Sequence, residues 1–420
     1  ATAAILAIGD ELLNGQQVDT NSSWISGRLT DLGFDVRGFS ILGDDELAIA
    51  ARLIELGAQV DLVVVTGGLG PTLDDLTRHA IARATERDLV LNGSIVEGIR
   101  KLFASRQIEM SAANERQGLF PTSAEIIPNN AGTAPGFRLQ QKSGSWIASF
   151  PGPPRELQMM FIEEFEPWIG AAFPSEIQTR VANFNLFGIP ESEFADRVGD
   201  WMSRDVEPRI GVCASGRVLK VRIEGSGSAS DGSGLKFSER VAAFRERFGQ
   251  AIFSEDDPST AVALGKLLLR EQLTFASAES CTGGQIAARL IALPGISEVF
   301  QEGFVTYSND AKRARLQVSS DLLEAHGAVS PEVAGAMASG AAKAAGVRLA
   351  LSTSGIAGPG GGSVERPVGL VYVGICLDGQ VTTHKLQFPA KGRDLICDWA
   401  TTSACELARR AVLEFLPADR

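Results

Sequence analysis

The stretch DLVVVTGGLGPTLDDLTRHAIARATE (61–86) decides the fold of the first part of the chain. Its apolar start, DLVVV, is typical of a buried strand, and TGGLG then ends that strand with a glycine-rich turn. The segment from DDLTRH onward has the apolar spacing of a helix. A strand, a glycine-rich turn and a helix in this order predict one unit of an α/β domain.

The residues before this stretch repeat the same order. The predicted elements are a strand at 3–9, a helix at 20–33 that Thr20 or Asn21 caps, a strand at 34–42 and a helix at 44–57. Alternating β and α segments predict a parallel, doubly wound sheet, whose ligands bind beyond the carboxyl ends of the strands.

A second alternating series begins near Thr274 and runs to the end of the sequence. The strands and helices between the two series follow a different order, which indicates a small α+β module. A chain of 420 residues is also too long for one core. We therefore predict an α/β protein with two doubly wound α/β domains, at 1–170 and 256–420, joined by an α+β module at 171–255.

Composition narrows the classes of function. Lys and Arg number 39 against 51 Asp and Glu, and the net charge of −12 argues against a general nucleic-acid or membrane binder. The first residues, ATAAILAIGDELL, lack the basic segment of a signal peptide, and the five cysteines form no C-x-x-C. We expect a cytoplasmic protein with reduced thiols. The cysteines expected in the core are Cys213, Cys376, Cys397 and Cys405.

The first candidate site is the turn TGGLGPTLDDLT (66–77). Gly67, Gly68 and Gly70 let the backbone approach a ligand closely, and the helix start offers free N–H groups to an anion. This is neither a P-loop nor a dinucleotide fingerprint. A glycine turn followed by an acidic helix cap remains the alternative.

Carboxylates surround this turn in the predicted fold. Those at the turn and at the end of the first strand are Asp10, Glu11, Asp74 and Asp75. Carboxylates at a helix start repel a bare phosphate but suit a phosphate that arrives with Mg²⁺. Arg155 and Glu156, in PGPPRE (151–156), are a candidate phosphate and metal pair, with an exposed ion pair as the alternative.

The second candidate site is FASAESCTGGQIAARL (275–290), again a strand, a turn and a helix. Ser280 falls at the turn, where helix N–H groups can stabilise an oxyanion. Cys281 is the rival nucleophile, since a helix start lowers a thiol pKa. Sequence physics does not choose between them, and Ser280 or Thr282 as a mere helix cap is a third reading.

Two further motifs belong with this turn. GFVTYSNDAKRARL (303–316) supplies Tyr307 and Lys312, and a lysine desolvated in a pocket can act as the base for a serine. SGIAGPGGG (354–362) follows a strand and can cradle a phosphate or a ribose through its N–H groups. Taken alone, Lys312 is equally consistent with a solvated basic helix face.

Several long motifs together resemble the competence/damage-inducible CinA family. In the C-terminal half they are AESCTGG (278–284), GFVTYSNDAK (303–312), HGAVS (326–330) and SGIAGPGGG…RPVG (354–369). In the N-terminal half GDELLNGQ, TGGLGPTLDDLT, GTAPGF and PGPPRE resemble the family's molybdopterin-binding-like domain. The segment 171–255 corresponds to its KH-like module, so the resemblance covers essentially the whole chain.

The resemblance implies that the C-terminal domain is a nicotinamide mononucleotide amidohydrolase, which releases ammonia and nicotinate mononucleotide without a cofactor. It implies Ser280 as the nucleophile, Lys312 as the base and Tyr307 as its helper. The substrate-binding residues that it implies are Thr282, Gly283, Gly284, Asn309, Gly355 and Gly358.

For the N-terminal domain the resemblance implies an ADP-ribose pyrophosphatase that yields AMP and ribose 5-phosphate. It implies a divalent metal, Mg²⁺ or a transition metal, on Asp10, Asp75 and Glu156, and a monovalent cation is a further candidate. The implied substrate contacts are Gly67, Gly68, Gly70, Thr72 and Arg155. Small nucleotides are the expected partners, and a homodimer is the implied assembly.

This chain departs from the family pattern at two positions. Asp310 stands where the family has Glu, and Gly360 stands where the family has Asp in the glycine loop. The second change places substrate affinity in question.

Two rival functions remain open. In the first, the N-terminal half is a pterin-binding or cofactor-synthesis domain. In the second, the protein is a nucleic-acid or competence adaptor that uses the KH-like module. KH domains clamp RNA with a G-x-x-G loop, which the middle segment lacks.

Overall fold

The computed structural model describes residues 1–174, 178–203, 205–227 and 232–416. They form two compact units, one whose described residues fall within 1–180 and 225–235 and one whose described residues fall within 181–224 and 236–420. Within these described ranges, no helix combines the length and the apolar character needed to cross a bilayer.

The first unit contains eight strands and seven α-helices among its described residues. In chain order they are β1 (Thr2–Ile8), α1 (Asp10–Leu13), α2 (Thr20–Asp31), β2 (Asp35–Leu42), α3 (Glu46–Gly57), β3 (Leu62–Thr66), α4 (Thr77–Ala84), β4 (Leu89–Leu91), α5 (Gly93–Ser105), β5 (Leu119–Pro121), β6 (Glu125–Ile127), β7 (Gly136–Gln140), β8 (Trp146–Phe150), α6 (Pro154–Met160) and α7 (Glu166–Ala172).

Six of these strands form one sheet in the order β2-β1-β3-β8-β7-β6. The first four are parallel, whereas β7 and β6 pair antiparallel at one edge. Side chains alternate between two apolar clusters, one on each face; Leu6 and Val63 lie in one, and Ile5 and Val64 in the other. The sheet is therefore doubly wound, as predicted, although it is not wholly parallel.

Two helices of the first unit are capped by the aspartate that immediately precedes their first residue. Asp19 Oδ1 accepts the N–H of Ser22 at 2.9 Å, so α2 is capped by Asp19 and not by Thr20 or Asn21 as predicted. Asp45 caps α3 in the same way. A carboxylate satisfies the free N–H groups of a first turn and favours the positive end of the helix.

The helix after the glycine turn begins later than the sequence indicates. α4 starts at Thr77, because Asp75 folds back and accepts the N–H groups of Gly70 at 2.7 Å and Thr72 at 2.8 Å. These bonds close the turn before the helix begins. Asp74 and Asp75 are consequently loop residues and not the first helical turn.

The module between the two α/β domains has one four-stranded sheet. Its elements are β9 (Gln178–Phe187), α8 (Glu191–Val198), β10 (Arg209–Ser215), β11 (Val218–Gly227), α9 (Ser233–Phe248) and β12 (Ile252–Ser254), with sheet order β10-β11-β9-β12. Phe184, Val221 and Phe244 pack in its core. Cys213 is exposed, contrary to our expectation. It lies beside Lys220 on the face of the sheet that points away from this core.

The rest of the second unit is another α/β domain. Its elements are α10 (Thr260–Arg270), β13 (Phe275–Glu279), α11 (Gln285–Ile291), β14 (Phe300–Val305), α12 (Asn309–Leu316), α13 (Ser320–His326), α14 (Pro331–Ala345), β15 (Leu349–Gly355), β16 (Leu370–Leu377), β17 (Gln380–Gln387) and α15 (Arg393–Phe415).

The C-terminal sheet has the order β14-β13-β15-β16-β17. β14, β13 and β15 are parallel, and β16 and β17 continue the sheet antiparallel. Because the carboxyl ends of parallel strands meet at one edge, the segments after Glu279, Val305 and Gly355 emerge together. The three motifs predicted to share a site are the segments that follow these ends.

Candidate active site

A tight turn links β13 to α11 and carries Ser280. Gly283 and Gly284 in this turn have φ of +61° and +99°, a left-handed backbone that a residue with a Cβ adopts only with strain. The N–H of Ser280 donates to the carbonyl of Thr353 on β15 at 3.0 Å. The turn therefore fixes the serine against the neighbouring strand.

The side chain of Lys312 reaches this serine from α12. Its Nζ lies 3.1 Å from Ser280 Oγ, 2.9 Å from the carbonyl of Thr306 and 3.2 Å from the carbonyl of Tyr307. Lys312 is only 1% exposed and Ser280 9%. The reading of Lys312 as part of a solvated basic face is therefore excluded.

Burial lowers the pKa of Lys312 below that of an ordinary lysine, because a buried ammonium loses its hydration. A neutral lysine has two N–H bonds and one lone pair. When the two carbonyls hold the N–H bonds, the lone pair faces Ser280 Oγ. This arrangement suits proton transfer from the hydroxyl to the amine.

The thiol of Cys281 is directed into the apolar core. Cys281 is 5% exposed, and burial raises the pKa of its thiol to about 12. A thiol with so high a pKa is almost wholly protonated at neutral pH and is a poor nucleophile. Burial and this raised pKa therefore favour Ser280 over Cys281 as the candidate nucleophile.

The two ends of Tyr307 serve different neighbours. Its carbonyl binds Lys312, whereas its exposed side chain places the hydroxyl 2.5 Å from Nη2 of Arg393. Arg393 Nη1 also donates to the carbonyl of Gly358 at 3.0 Å. Arg393, which opens α15 and follows Tyr307 by 86 residues, belongs to none of the motifs quoted above and was not predicted.

The other residues predicted around this serine lie in three places. Thr282 lies behind the turn, with its hydroxyl 2.7 Å from that of Thr353. Gly355 ends β15, and Gly358 continues from that strand end toward Arg393. Asn309 begins α12 at the surface.

The two departures from the family pattern lie in open surroundings. Asp310 is exposed and pairs with Arg313. A Cβ on Gly360 would meet no atom within 4 Å, so glycine is not required there by packing.

Glu279, which the sequence analysis also missed, caps α11. Its carboxylate accepts the N–H groups of Gly284 at 3.0 Å, Ile286 at 3.0 Å and Ala287 at 2.9 Å. These three N–H groups do not face an oxyanion at Ser280, because Glu279 already accepts them. The reading of Ser280 as the helix cap is wrong for the same reason.

A cleft of about 600 Å³ in the first unit contains the other candidate site. Gly67, Gly68, Gly70 and Thr72 all line it. A Cβ on Gly67 would lie 2.1 Å from the carbonyl oxygen of Ile8, so only glycine fits at this close approach. The glycine turn therefore forms one wall of the cleft.

The three predicted metal ligands do not converge. Asp75 and Glu156 line the cleft, but both oxygens of Asp75 hold the turn and Glu156 accepts the amide of Asn129 at 2.7 Å. Asp10 Oδ1 faces the N–H of Asp44 at 3.3 Å. No group of three or more His, Cys, Asp or Glu in the described part of the chain is arranged to hold a metal ion.

The cleft is nonetheless strongly acidic. Burial raises the pKa of Asp44, and the carboxylates of Asp10, Glu11 and Asp74 raise it further. Arg155 is exposed, whereas its neighbour Glu156 lines the cleft. A bare phosphate would meet net negative charge here.

Three stretches of the chain match domains of known families. Residues 257–412 match the CinA C-terminal domain, 4–171 a "probable molybdopterin binding domain" and 182–254 the "damage-inducible protein CinA KH domain". A "putative competence-damage inducible protein" of Clostridium perfringens is 39% identical over 388 residues, which cover 92% of this chain and 93% of that protein. The chain belongs to the CinA family.

Relatives in the CinA family match nearly the full length of the chain. A protein of the same description from Clostridium novyi is 37% identical over 411 residues, 98% of each chain. The solved competence/damage inducible protein of Agrobacterium tumefaciens is 39% identical, covers 36% of this chain and 96% of its own, and has a TM-score of 0.35. The CinA resemblance read from the motifs is confirmed; these names state no reaction.

Proposed function

We propose that the chain is an amidohydrolase that converts nicotinamide mononucleotide to nicotinate mononucleotide and ammonia. The observation that carries the proposal is the buried Nζ of Lys312, 3.1 Å from Ser280 Oγ. A serine beside a desolvated lysine is a recognised nucleophile and base pair. The substrate follows from the family resemblance, and ammonia release from nicotinamide mononucleotide tests it.

The reaction proceeds through an acyl-enzyme. Ser280 Oγ attacks the carboxamide carbon while Lys312 Nζ takes the hydroxyl proton. The protonated Lys312 then returns that proton to the amide nitrogen, the C–N bond breaks and ammonia leaves. Water attacks the resulting ester, Lys312 takes its proton, and the carboxylate product departs as Ser280 recovers its hydrogen.

We assign the substrate phosphate to Arg393. Its guanidinium is exposed and bonds only neutral acceptors, Tyr307 Oη and the Gly358 carbonyl, with no ion pair to a carboxylate in the described ranges. Arginine binds phosphate through charge-assisted bonds. We expect Arg393→Met to lower kcat/KM for nicotinamide mononucleotide about 10- to 100-fold, chiefly through KM, as measured by ammonia release.

The matched control is Arg313→Met, which removes an arginine that pairs with Asp310 at the surface of the same domain. It should keep wild-type kinetics. Nicotinamide riboside, which lacks the phosphate, should distinguish the role further. Equal losses on riboside and mononucleotide would contradict phosphate binding and assign Arg393 to the support of Tyr307.

A second activity, cleavage of ADP-ribose to AMP and ribose 5-phosphate, is our proposal for the N-terminal cleft. Its volume of about 600 Å³ lies within the usual range of small-molecule sites. The glycine turn brings backbone close to a ligand, which suits a pyrophosphate. Because the described side chains do not form a metal site, we assign no step of this cleavage to a metal ion held by the protein.

We expect AMP release from ADP-ribose to require a divalent cation that arrives bound to the pyrophosphate, and to stop with chelator, since the acidic cleft repels a bare pyrophosphate. Ammonia release at Ser280 should continue in chelator. Glu156→Gln should slow AMP formation about tenfold or more, because Glu156 lines the cleft. Glu163→Gln, at an exposed site in the same helical segment, should not.

Cation-independent AMP release would contradict this requirement. Binding of a pterin without any cleavage of ADP-ribose would instead favour a cofactor-synthesis domain.

A further inference from the structure

Glu279 is a buried carboxylate with no ion-pair partner among the described residues. It is 0% exposed and ends β13, immediately before Ser280. Besides the three N–H groups of α11 and the turn, its oxygens accept the hydroxyls of Thr282 at 2.8 Å and Ser277 at 3.3 Å. Five donors therefore compensate one buried negative charge.

This hydrogen-bond set fixes the nucleophile turn from inside. Four of the five donors belong to residues 282–287, so the turn wraps around the carboxylate. A buried carboxylate must keep its donors, because an unpaired charge in the interior is costly. On the other side, the Thr353 carbonyl holds the N–H of Ser280. Ser280 thus stands between two fixed anchors.

We propose that Glu279 is the positioning residue of the site, which holds Ser280 Oγ within reach of Lys312 Nζ. This inference rests on the proposed serine mechanism. Glu279 acts through the turn and contacts neither substrate nor Lys312. Its carboxylate, and not a free helix end, sets the place of the nucleophile.

The test is Glu279→Gln, studied in the full chain. The glutamine has the same shape, but its NH₂ must face N–H donors in either orientation, so the turn has to shift. We expect kcat for nicotinamide mononucleotide to fall about 100-fold with KM within about threefold, as for a small misplacement of a reacting group. The rate at which a fluorophosphonate probe labels Ser280 should fall by a similar factor.

Glu406→Gln is the matched control. Glu406 is also 0% exposed in the same unit, where it pairs with Arg409 and Arg410 far along the chain from the turn. This variant should lose thermal stability, yet the folded protein should label at the wild-type rate. A merely structural role for Glu279 predicts that both variants behave alike, and that result would overturn the proposal.

Thr282→Val decides the matter if Glu279→Gln does not fold. It removes one donor to Glu279 Oε2, together with the contact to the Thr353 hydroxyl, and keeps the side-chain shape, and labelling should slow about tenfold. Wild-type labelling in folded Glu279→Gln or in folded Thr282→Val overturns the role of Glu279. Slow labelling of the variants, with no ammonia from the wild type, keeps this role and rejects the proposed substrate. A wild-type chain that the probe fails to label overturns both.

Discussion

Ser280→Ala is expected to abolish ammonia release from nicotinamide mononucleotide, with turnover falling about 10⁴- to 10⁶-fold. The alanine removes the oxygen that lies 3.1 Å from Lys312 Nζ and nothing else of the site. The protein should stay folded, because the loss of one hydrogen bond costs only about 1 kcal/mol. Steady-state ammonia assays and a thermal melt measure both effects. Cleavage of ADP-ribose should remain near the wild-type rate.

Cys281→Ala is the control for this result. Its thiol is buried in the core and its pKa is raised to about 12, so the variant should keep most of the activity. Its stability should fall slightly because a core atom is lost. An inactive Cys281→Ala beside an active Ser280→Ala would overturn the assignment of the nucleophile.

The fold class could be predicted from the sequence because its signal is local. Apolar strands such as Leu62–Thr66, followed by glycine turns and amphipathic helices, specify a doubly wound sheet with little ambiguity. The antiparallel pairing of β7 and β6 in the first sheet, and of β16 and β17 in the C-terminal sheet, was not predicted. Their direction depends on which strand each meets in space, and no residue pattern within them records it.

Helix starts were predicted less well for a related reason. Both sequences show an aspartate shortly before a helix. Asp19 caps α2, whereas Asp75 closes a turn before α4. Only the hydrogen bonds separate a cap from a loop carboxylate.

The sequence pointed to Ser280 and Lys312 of the candidate site but not to the residues that hold them in place. Ser280 and Lys312 stand in quotable motifs, and parallel strand ends bring such motifs together. Glu279 reads as the polar end of a strand, and its role appears only once the turn closes around its carboxylate. In contrast, Asp10 and Asp75 were grouped by proximity in the predicted sheet. Asp10 does not line the cleft, and the oxygens of Asp75 are bonded to N–H groups of its own turn.

Replacement of the base is expected to be nearly as severe as loss of the nucleophile. Lys312→Met keeps the length of the stem but cannot take a proton, and turnover should fall about 10⁴-fold or more. Lys312→Arg should fail as well, because a guanidinium stays charged at every working pH. Lys343→Met, at an exposed position on α14, should behave as the wild type.

The pH dependence of the wild type should identify Lys312 as the base. Activity requires the neutral amine, so kcat/KM should rise with pH through the pKa of Lys312. Because burial lowers that pKa, the rise should be complete at a lower pH than an ordinary lysine would allow. An active Lys312→Arg variant would mean instead that the residue binds substrate phosphate.

Stability supplies an independent measure of the same group. Lysine in an unfolded chain titrates at about 10.4, and folded Lys312 titrates below its usual value. Between these two pKa values the unfolded state binds more protons than the native state, so the free energy of unfolding rises with pH across that window. Below the folded pKa both states carry the proton, and the full cost of the buried charge remains.

Lys312→Met has no such group, so the difference in unfolding free energy between wild type and Lys312→Met should shift toward the wild type as pH rises. A difference that stays constant with pH would mean that Lys312 keeps an ordinary pKa, which would remove it as the base for Ser280.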